Sequence, residues 1–283
     1  MVMKTRSALS PFHPLLGTWF TERLGAPTDI QSRAWPKIAS GSHVLVTAPT
    51  GSGKTLAAFF WAINQLVTGA WERGQTRILY VSPLKALNND VRRNLTAPLE
   101  ELEARFRGAS ADFPEICVRT RSGDTPAEER RRMARRAPEI LITTPESLNI
   151  MLSSRAGRAM FSGIAMVILD EIHAVVGAKR GTHLITAVDR LVRVTGEFQR
   201  IALSATVKPL TQVAEFVGGS VQKGEAKARH YEKRQVEIIR SRDKKRYQIA
   251  VAFPPEAREH LVDASWWPVL AASFREIIKE NRA

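Results

Sequence analysis

Between two apolar stretches the chain carries Ala48-Pro49-Thr50-Gly51-Ser52-Gly53-Lys54-Thr55. His43 to Thr47 before it reads as a short buried strand, and Leu56, Phe59, Phe60, Ile63 and Leu66-Val67 after it recur at helical spacing. A loop so placed turns successive backbone N–H groups toward an anion, and the following helix adds its positive N-terminal end. Thr50, Gly51, Ser52, Gly53, Lys54 and Thr55 are therefore expected to hold a nucleoside triphosphate, with Lys54 on the β- and γ-phosphates and the Thr55 hydroxyl on Mg²⁺. The common pattern begins with Gly, and here Ala48 takes that place. A plain Gly/Ser turn would leave Lys-Thr at the helix entrance unexplained.

The rest of the chain repeats the alternation. Strands are expected at Ile78 to Ser82, Ile116 to Arg119, Ile140 to Thr143, Ala165 to Leu169 and Ile201 to Leu203. Helices are expected around Leu84 to Leu102, from Pro145 to Leu152 and from Thr182 to Arg193, the last with Leu184, Val188 and Leu191 on one stripe. This order predicts an α/β fold of the P-loop NTPase kind, a central parallel sheet with helices on both faces. In such sheets the ligand lies beyond the carboxyl ends of the strands, and the polar segments fall at those ends. After about Val221 the chain turns densely basic around a short strand, Val236 to Ile239, and a final helix is expected over Ala264 to Ile278.

Asp170-Glu171-Ile172-His173 ends one apolar strand. Beside a triphosphate, Asp170 would hold Mg²⁺ and Glu171 would position and deprotonate the attacking water; without the phosphate loop, the pair could merely cap a helix. Ser204-Ala205-Thr206 ends another strand, and its hydroxyls are expected to bond the Asp-Glu segment and report nucleotide state. Gln31 could pair with adenine N6 and N7 and so select ATP; equally, it could belong to a helix start capped by Thr28 or Asp29.

With 42 Lys+Arg against 28 Asp+Glu, the net charge is +14, which favours a polyanionic partner. Lys85, Arg121 and Thr144 follow three successive strands and are expected to track a phosphate backbone without reading its bases. Arg180 in Lys179-Arg180-Gly181 joins them, because it follows the acidic segment closely. The run Arg130-Arg131-Arg132 with Arg135 and Arg136 reads as a solvated helix face. A single cysteine, Cys117, excludes a disulfide framework and fits a reducing, cytoplasmic setting, and no apolar run is long enough to span a bilayer.

These segments, in this order, resemble a superfamily-two helicase of the DEAD/DEAH-box type. The wording of Ala48 to Phe59, Ser82 to Leu87, Asp170 to His173 and Lys179 to Leu184 resembles the large helicase-related (Lhr) family, over roughly Phe12 to Val207. The resemblance implies a first RecA-like lobe that binds ATP and Mg²⁺. It also implies movement along single-stranded DNA and unwinding of DNA or RNA–DNA duplexes, with His173, Ser204 and Thr206 coupling the two. Such helicases close the ATP site with arginines from a second lobe, supplied by the same gene or a partner subunit, and no Gly-Arg-x-x-Arg run follows Thr206. The expected division is a nucleotide-binding lobe over 1–225, then a basic linker and the start of an incomplete second lobe over 226–283. Alone, this chain is expected to bind ATP weakly and turn it over poorly. Two other readings stay open: a naturally shortened nucleic-acid-binding module with ATP as ligand and no translocation, and a P-loop ATPase acting on protein.

Overall fold

Among the described residues, all but two of the strands join one sheet. The computed structural model describes residues 8–205, 207–223, 230–242 and 266–280. In chain order the first elements are α1 (Pro14–Leu24), α2 (Asp29–Ala39), β1 (His43–Thr47), α3 (Lys54–Val67), β2 (Ile78–Val81) and α4 (Lys85–Gly108). Next come β3 (Val118–Arg121), α5 (Ala127–Arg135), β4 (Ile140–Thr143), α6 (Pro145–Leu152), α7 (Arg155–Met160) and β5 (Met166–Leu169). A 3-10 turn (Ile172–Ala174) leads to α8 (Lys179–Thr195), β6 (Gln199–Ser204), α9 (Leu210–Gly218), β7 (Ser220–Lys223), β8 (His230–Lys233) and β9 (Val236–Arg240).

The sheet runs β3-β4-β2-β5-β6-β1-β9 with every pairing parallel, while β7 and β8 form a separate antiparallel pair. Alternate side chains of each strand serve opposite faces. Val44, Val46, Ile78, Ile142, Ile168 and Leu203 pack with apolar residues of α1 to α4, whereas Leu45, Leu79, Leu141, Val167, Leu169 and Ala202 pack with those of α6 to α9. On the first face Trp35 donates its indole N–H to the Ala57 carbonyl at 3.1 Å and meets Phe12 and Phe20 edge-on, which locks α2 onto α3. Burying each of these rings contributes roughly 1.5–3 kcal/mol.

Two strands differ from the sequence expectation. The strand expected at Ile116 begins at Val118, because the Cys117 N–H is taken by the Glu139 carboxylate at 2.9 Å and pairing with β4 starts at Val118 opposite Ile140. The short strand in the basic stretch is β9, paired with β1 over its full length, so the division expected near residue 225 falls inside a unit that runs from Met1 to Arg242. The polar stripe of α2 fastens β9 down. Lys37 pairs with Glu237 at 3.0 Å, Arg33 donates to the Arg240 carbonyl, and Asp29 accepts the Arg242 N–H at 3.1 Å. Ser241 N–H bonds the Thr47 carbonyl at 2.9 Å.

At the amino ends of the strands, Arg200 is fully buried. Its Nη1 donates to the Val217 and Gly218 carbonyls at 3.0 Å each and its Nη2 to Asp189 at 2.8 Å. Arg234 pairs with both oxygens of Glu197 and donates to the Gly218 and Ser220 carbonyls, closing the end of α9. A second unit, Asp243 to Ala283, contains α10 (Trp266–Glu280), close to the helix expected there. Among the described residues no helix is long and apolar enough to cross a membrane.

Candidate nucleotide and nucleic-acid site

The carboxyl ends of β1, β6 and β5 are neighbours in the sheet and carry the phosphate-loop, Ser204 and Asp170 segments respectively. Gly51 and Gly53 adopt positive φ, 79° and 82°, so the loop can double back and enter α3 at Lys54. No side chain caps α3, which leaves its first-turn N–H groups for an anion. Lys54 is 5% exposed, and its ammonium makes no hydrogen bond or ion pair among the described residues. The Ser52 hydroxyl is likewise buried without a partner. A largely buried lysine with no protein partner and a buried, unsatisfied hydroxyl fit an anionic ligand held in this loop. Thr50 is exposed at the loop tip, and Thr55 is half-buried on the first turn of α3.

Gln31 is 3% exposed and does what its capping reading anticipated. Thr28 and Gln31 form a capping box, with the Thr28 N–H on Gln31 Oε1 at 3.0 Å. The other side of the carboxamide faces the loop, since Nε2 donates to the Gly53 carbonyl at 3.3 Å and the Thr28 hydroxyl donates to the Ser52 carbonyl at 3.0 Å. One lone pair and one N–H of the Gln31 amide remain for a base.

Asp170 is 4% exposed, and each of its oxygens accepts one protein donor: the Glu171 N–H at 2.8 Å and the Tyr80 hydroxyl. Burial pushes the Asp170 carboxyl above the usual range, against the Tyr80 hydrogen bond, the Glu171 N–H and the Lys54 charge. Burial and the adjoining carboxylate push the Tyr80 phenol up as well, which keeps it a donor. Glu171 takes a left-handed backbone, φ 48° and ψ 39°, at the start of the 3-10 turn. Its Oε2 lies 3.2 Å from His173 Nδ1, the nitrogen that accepts the Ala205 N–H at 3.2 Å. That nitrogen accepts from Ala205 only when unprotonated and donates to Glu171 only when protonated, so the two bonds alternate.

The Ser204-Ala205-Thr206 segment connects differently from expectation. The Ser204 hydroxyl is buried and unpartnered, because its side chain is enclosed in the sheet. The link to the acidic segment runs through the Ala205 backbone instead. The Thr47 hydroxyl donates to the Ala205 carbonyl at 2.7 Å and the Ala48 N–H to the Ser204 carbonyl at 3.1 Å, tying this strand end to the phosphate loop. Thr206 lies outside the described residues. Tyr80 and Thr47 were not singled out from sequence, and Thr28 only as a cap. A tyrosine within a fully buried strand was the available signal, since its hydroxyl must find a partner.

The remaining expected residues lie over β2, β4 and β3. Lys85 opens α4 after β2; its side-chain placement is outside what the structure describes. Thr144 caps α6, accepting the Ser147 N–H at 3.3 Å. Arg121 ends β3 with its carbonyl on the Thr143 hydroxyl at 2.7 Å. Arg180 differs from a free phosphate contact: it is paired with both oxygens of Glu146, at 2.7 and 3.2 Å, and holds that carboxyl below its usual range.

A family model for DEAD/DEAH box helicases matches residues 28–216. The Lhr helicase/probable uracil glycosylase of Mycolicibacterium smegmatis is 41% identical over 277 residues, 97% of this chain and 18% of that protein. The Lhr helicase/uracil glycosylase of Escherichia coli is 47% identical over 225 residues, 75% of this chain and 14% of that protein. The chain thus spans under a fifth of the length of these two relatives. Among solved structures, the Mycobacterium smegmatis helicase Lhr bound to ssDNA and AMP-PNP superposes with a TM-score of 0.79 at 40% identity, covering 98% of this chain and 34% of that one. The DEAD-box helicase Mss116 bound to ssRNA shares the fold, with a TM-score of 0.65 at 17% identity over 85% of this chain and 46% of that one. On motif order, strand-end geometry and similarity together, this chain belongs to the DEAD/DEAH box helicase family and is homologous to its Lhr helicases.

Proposed function

We propose that this chain is the ATP-binding first lobe of an Lhr-type DNA helicase, which hydrolyses ATP to move along single-stranded DNA and open DNA or RNA–DNA duplexes. One observation carries the reading. The phosphate loop, the Asp170-Glu171 segment and the Ala205 backbone converge at neighbouring strand ends and are bonded to one another.

The loop N–H groups and Lys54 bind the phosphates, and Gln31 presents its remaining N–H and lone pair to adenine. Thr55 and Asp170 are the residues that would hold Mg²⁺. Their hard oxygen donors suit it. When bound, the ion neutralises charge on the transferring phosphoryl group. Glu171 takes the proton of the attacking water. Passing that proton from Glu171 to His173 Nδ1, 3.2 Å away, would exchange the imidazole's bond to Ala205 for one to Glu171 and carry the event to the strand end beside β1. Lys85, Arg121 and Thr144 present a cation or helix N-terminus to one phosphate backbone, while Arg180 keeps Glu146 neutralised at the start of α6. Arginines of a second RecA-like lobe would complete the site; such an arginine is worth about 10³–10⁵ in rate, so this lobe by itself is expected to turn over poorly. The single cysteine supports a reducing compartment, the cytoplasm.

The test is ATPase activity of a chain extended through the second lobe, with and without single-stranded DNA. DNA is expected to stimulate turnover, and Glu171→Gln to lower it by about 10²–10⁴ while nucleotide still binds. No stimulation, or undiminished turnover in Glu171→Gln, refutes the proposal.

A further inference from the structure

The arginine run at the start of α5 divides on folding. Arg132 pairs with Glu128 at 2.5 Å and Arg131 stays exposed, as a solvated helix face requires. Arg130 turns back instead. Its Nε donates to the Thr125 carbonyl at 2.7 Å and its Nη2 to the Gly123 carbonyl at 2.6 Å. The same turn is closed from within. The Thr125 hydroxyl accepts the Ser122 N–H at 2.9 Å, and the Ser122 carbonyl accepts the Thr125 N–H at 3.3 Å.

With both carbonyls drawn toward α5, the turn withdraws negative ends of peptide dipoles from the strand-end surface. Arg121, the last residue of β3, leads into this turn; its side chain is half-buried and makes no hydrogen bond or ion pair among the described residues. The Arg121 carbonyl, bonded to the Thr143 hydroxyl, fixes this residue beside Thr144 and the start of α6. Partial burial, then the nearby Arg130 charge, lower the Arg121 proton affinity. Arg130 is near enough for its charge to be felt at Arg121, and among the described residues neither guanidinium is ion-paired to a carboxylate, an arrangement that suits a polyanion.

We infer that Arg130 is a positioning residue, which holds the 122–125 turn so that Arg121 meets one phosphodiester group of a single strand. This rests on the strand-end track proposed above. The full chain is titrated with labelled oligo-dT over a series of salt concentrations. On single strands each phosphate contact contributes about 0.7 to the slope of log K against log salt. Arg121→Gln is expected to lower the slope by about 0.7. Arg130→Gln is expected to lower it equally, and the double variant no further. Arg130→Lys keeps the charge but cannot reach two carbonyls, so it behaves as Arg130→Gln does. Should Arg130→Gln melt early, Arg130→Lys carries the test.

A wild-type slope in both Arg130 variants overturns the inference while leaving the track intact. A double variant that loses twice the single effect makes Arg130 a direct contact and overturns it too. A wild-type slope in Arg121→Gln overturns the track and the inference together.

Discussion

Replacing Gly53 with alanine tests how tightly the nucleotide loop is held by the helix beside it. At φ 82° the new side chain would adopt a left-handed backbone, which costs an L-residue about 1–2 kcal/mol. Its Cβ would also stand 2.5 Å from Gln31 Nε2 and 3.2 Å from Cδ, so the carboxamide must leave. Gln31 then loses its bonds to the Gly53 carbonyl and the Thr28 N–H, each contributing about 1 kcal/mol. Gly51 is the internal control. It has nearly the same φ, 79°, but its Cβ would meet nothing within 4 Å, so Gly51→Ala carries the backbone cost alone. An empty loop can relax the strain and must restore it to bind, so the cost is read as lost affinity for a fluorescent ATP analogue. At 1.4 kcal/mol per tenfold, Gly51→Ala should weaken binding roughly tenfold and Gly53→Ala roughly several-hundredfold. Equal losses in the two variants would show that the Gln31 contact does not shape the loop.

Three other outcomes follow from the geometry. Arg200→Met removes the donors of the Val217 and Gly218 carbonyls from a fully buried position; with Asp189 still reachable by water, urea unfolding should show a loss of about 2–4 kcal/mol, and a loss below about 1 kcal/mol contradicts a structural role. Burial, then the charges of Arg200 and Arg234, hold the His43 imidazole below its ordinary value. Its contribution to stability is therefore present above pH about 6.5 and lost as pH falls through the lowered value. Melting temperature should drop as pH falls below about 6.5, and His43→Gln should flatten that drop. Tyr80→Phe removes a hydrogen bond that favours ionised Asp170, so the acid limb of the ATPase pH profile should move to higher pH; an unmoved limb separates Asp170 from the titration that limits turnover.

What could be read from the sequence was what local pattern encodes. Apolar runs of four or five residues announced the strands, and the boundaries of α6 were legible because Pro145 starts it and Thr144 caps it. The phosphate loop was legible because its function needs residues adjacent in the chain. Pairing between distant segments was not. Val236 to Arg240 lies among basic residues, and nothing local says that its partner is His43 to Thr47, nearly two hundred residues earlier. Arg130 reads as surface charge and Arg180 as a phosphate contact because their partners, two turn carbonyls and Glu146, depend on how helices meet the sheet. Gln31 carried two readings, and the fold fulfils the capping one while aiming the same amide at the loop.

The attachment of β9 to β1 and to the polar stripe of α2 bears on how the lobe can be cut free. A fragment ended near residue 225, where composition shifts, would strip β1 of its outer neighbour. The strand that feeds the phosphate loop would then become an open edge, a template for association with other chains. Asp29, Arg33 and Lys37 would lose their contacts to Arg242, Arg240 and Glu237, on the same helix that braces the loop. Ending after Arg242 keeps that strand interior, so some seventeen residues decide whether the strand that feeds the phosphate loop is paired on both sides or left as an edge.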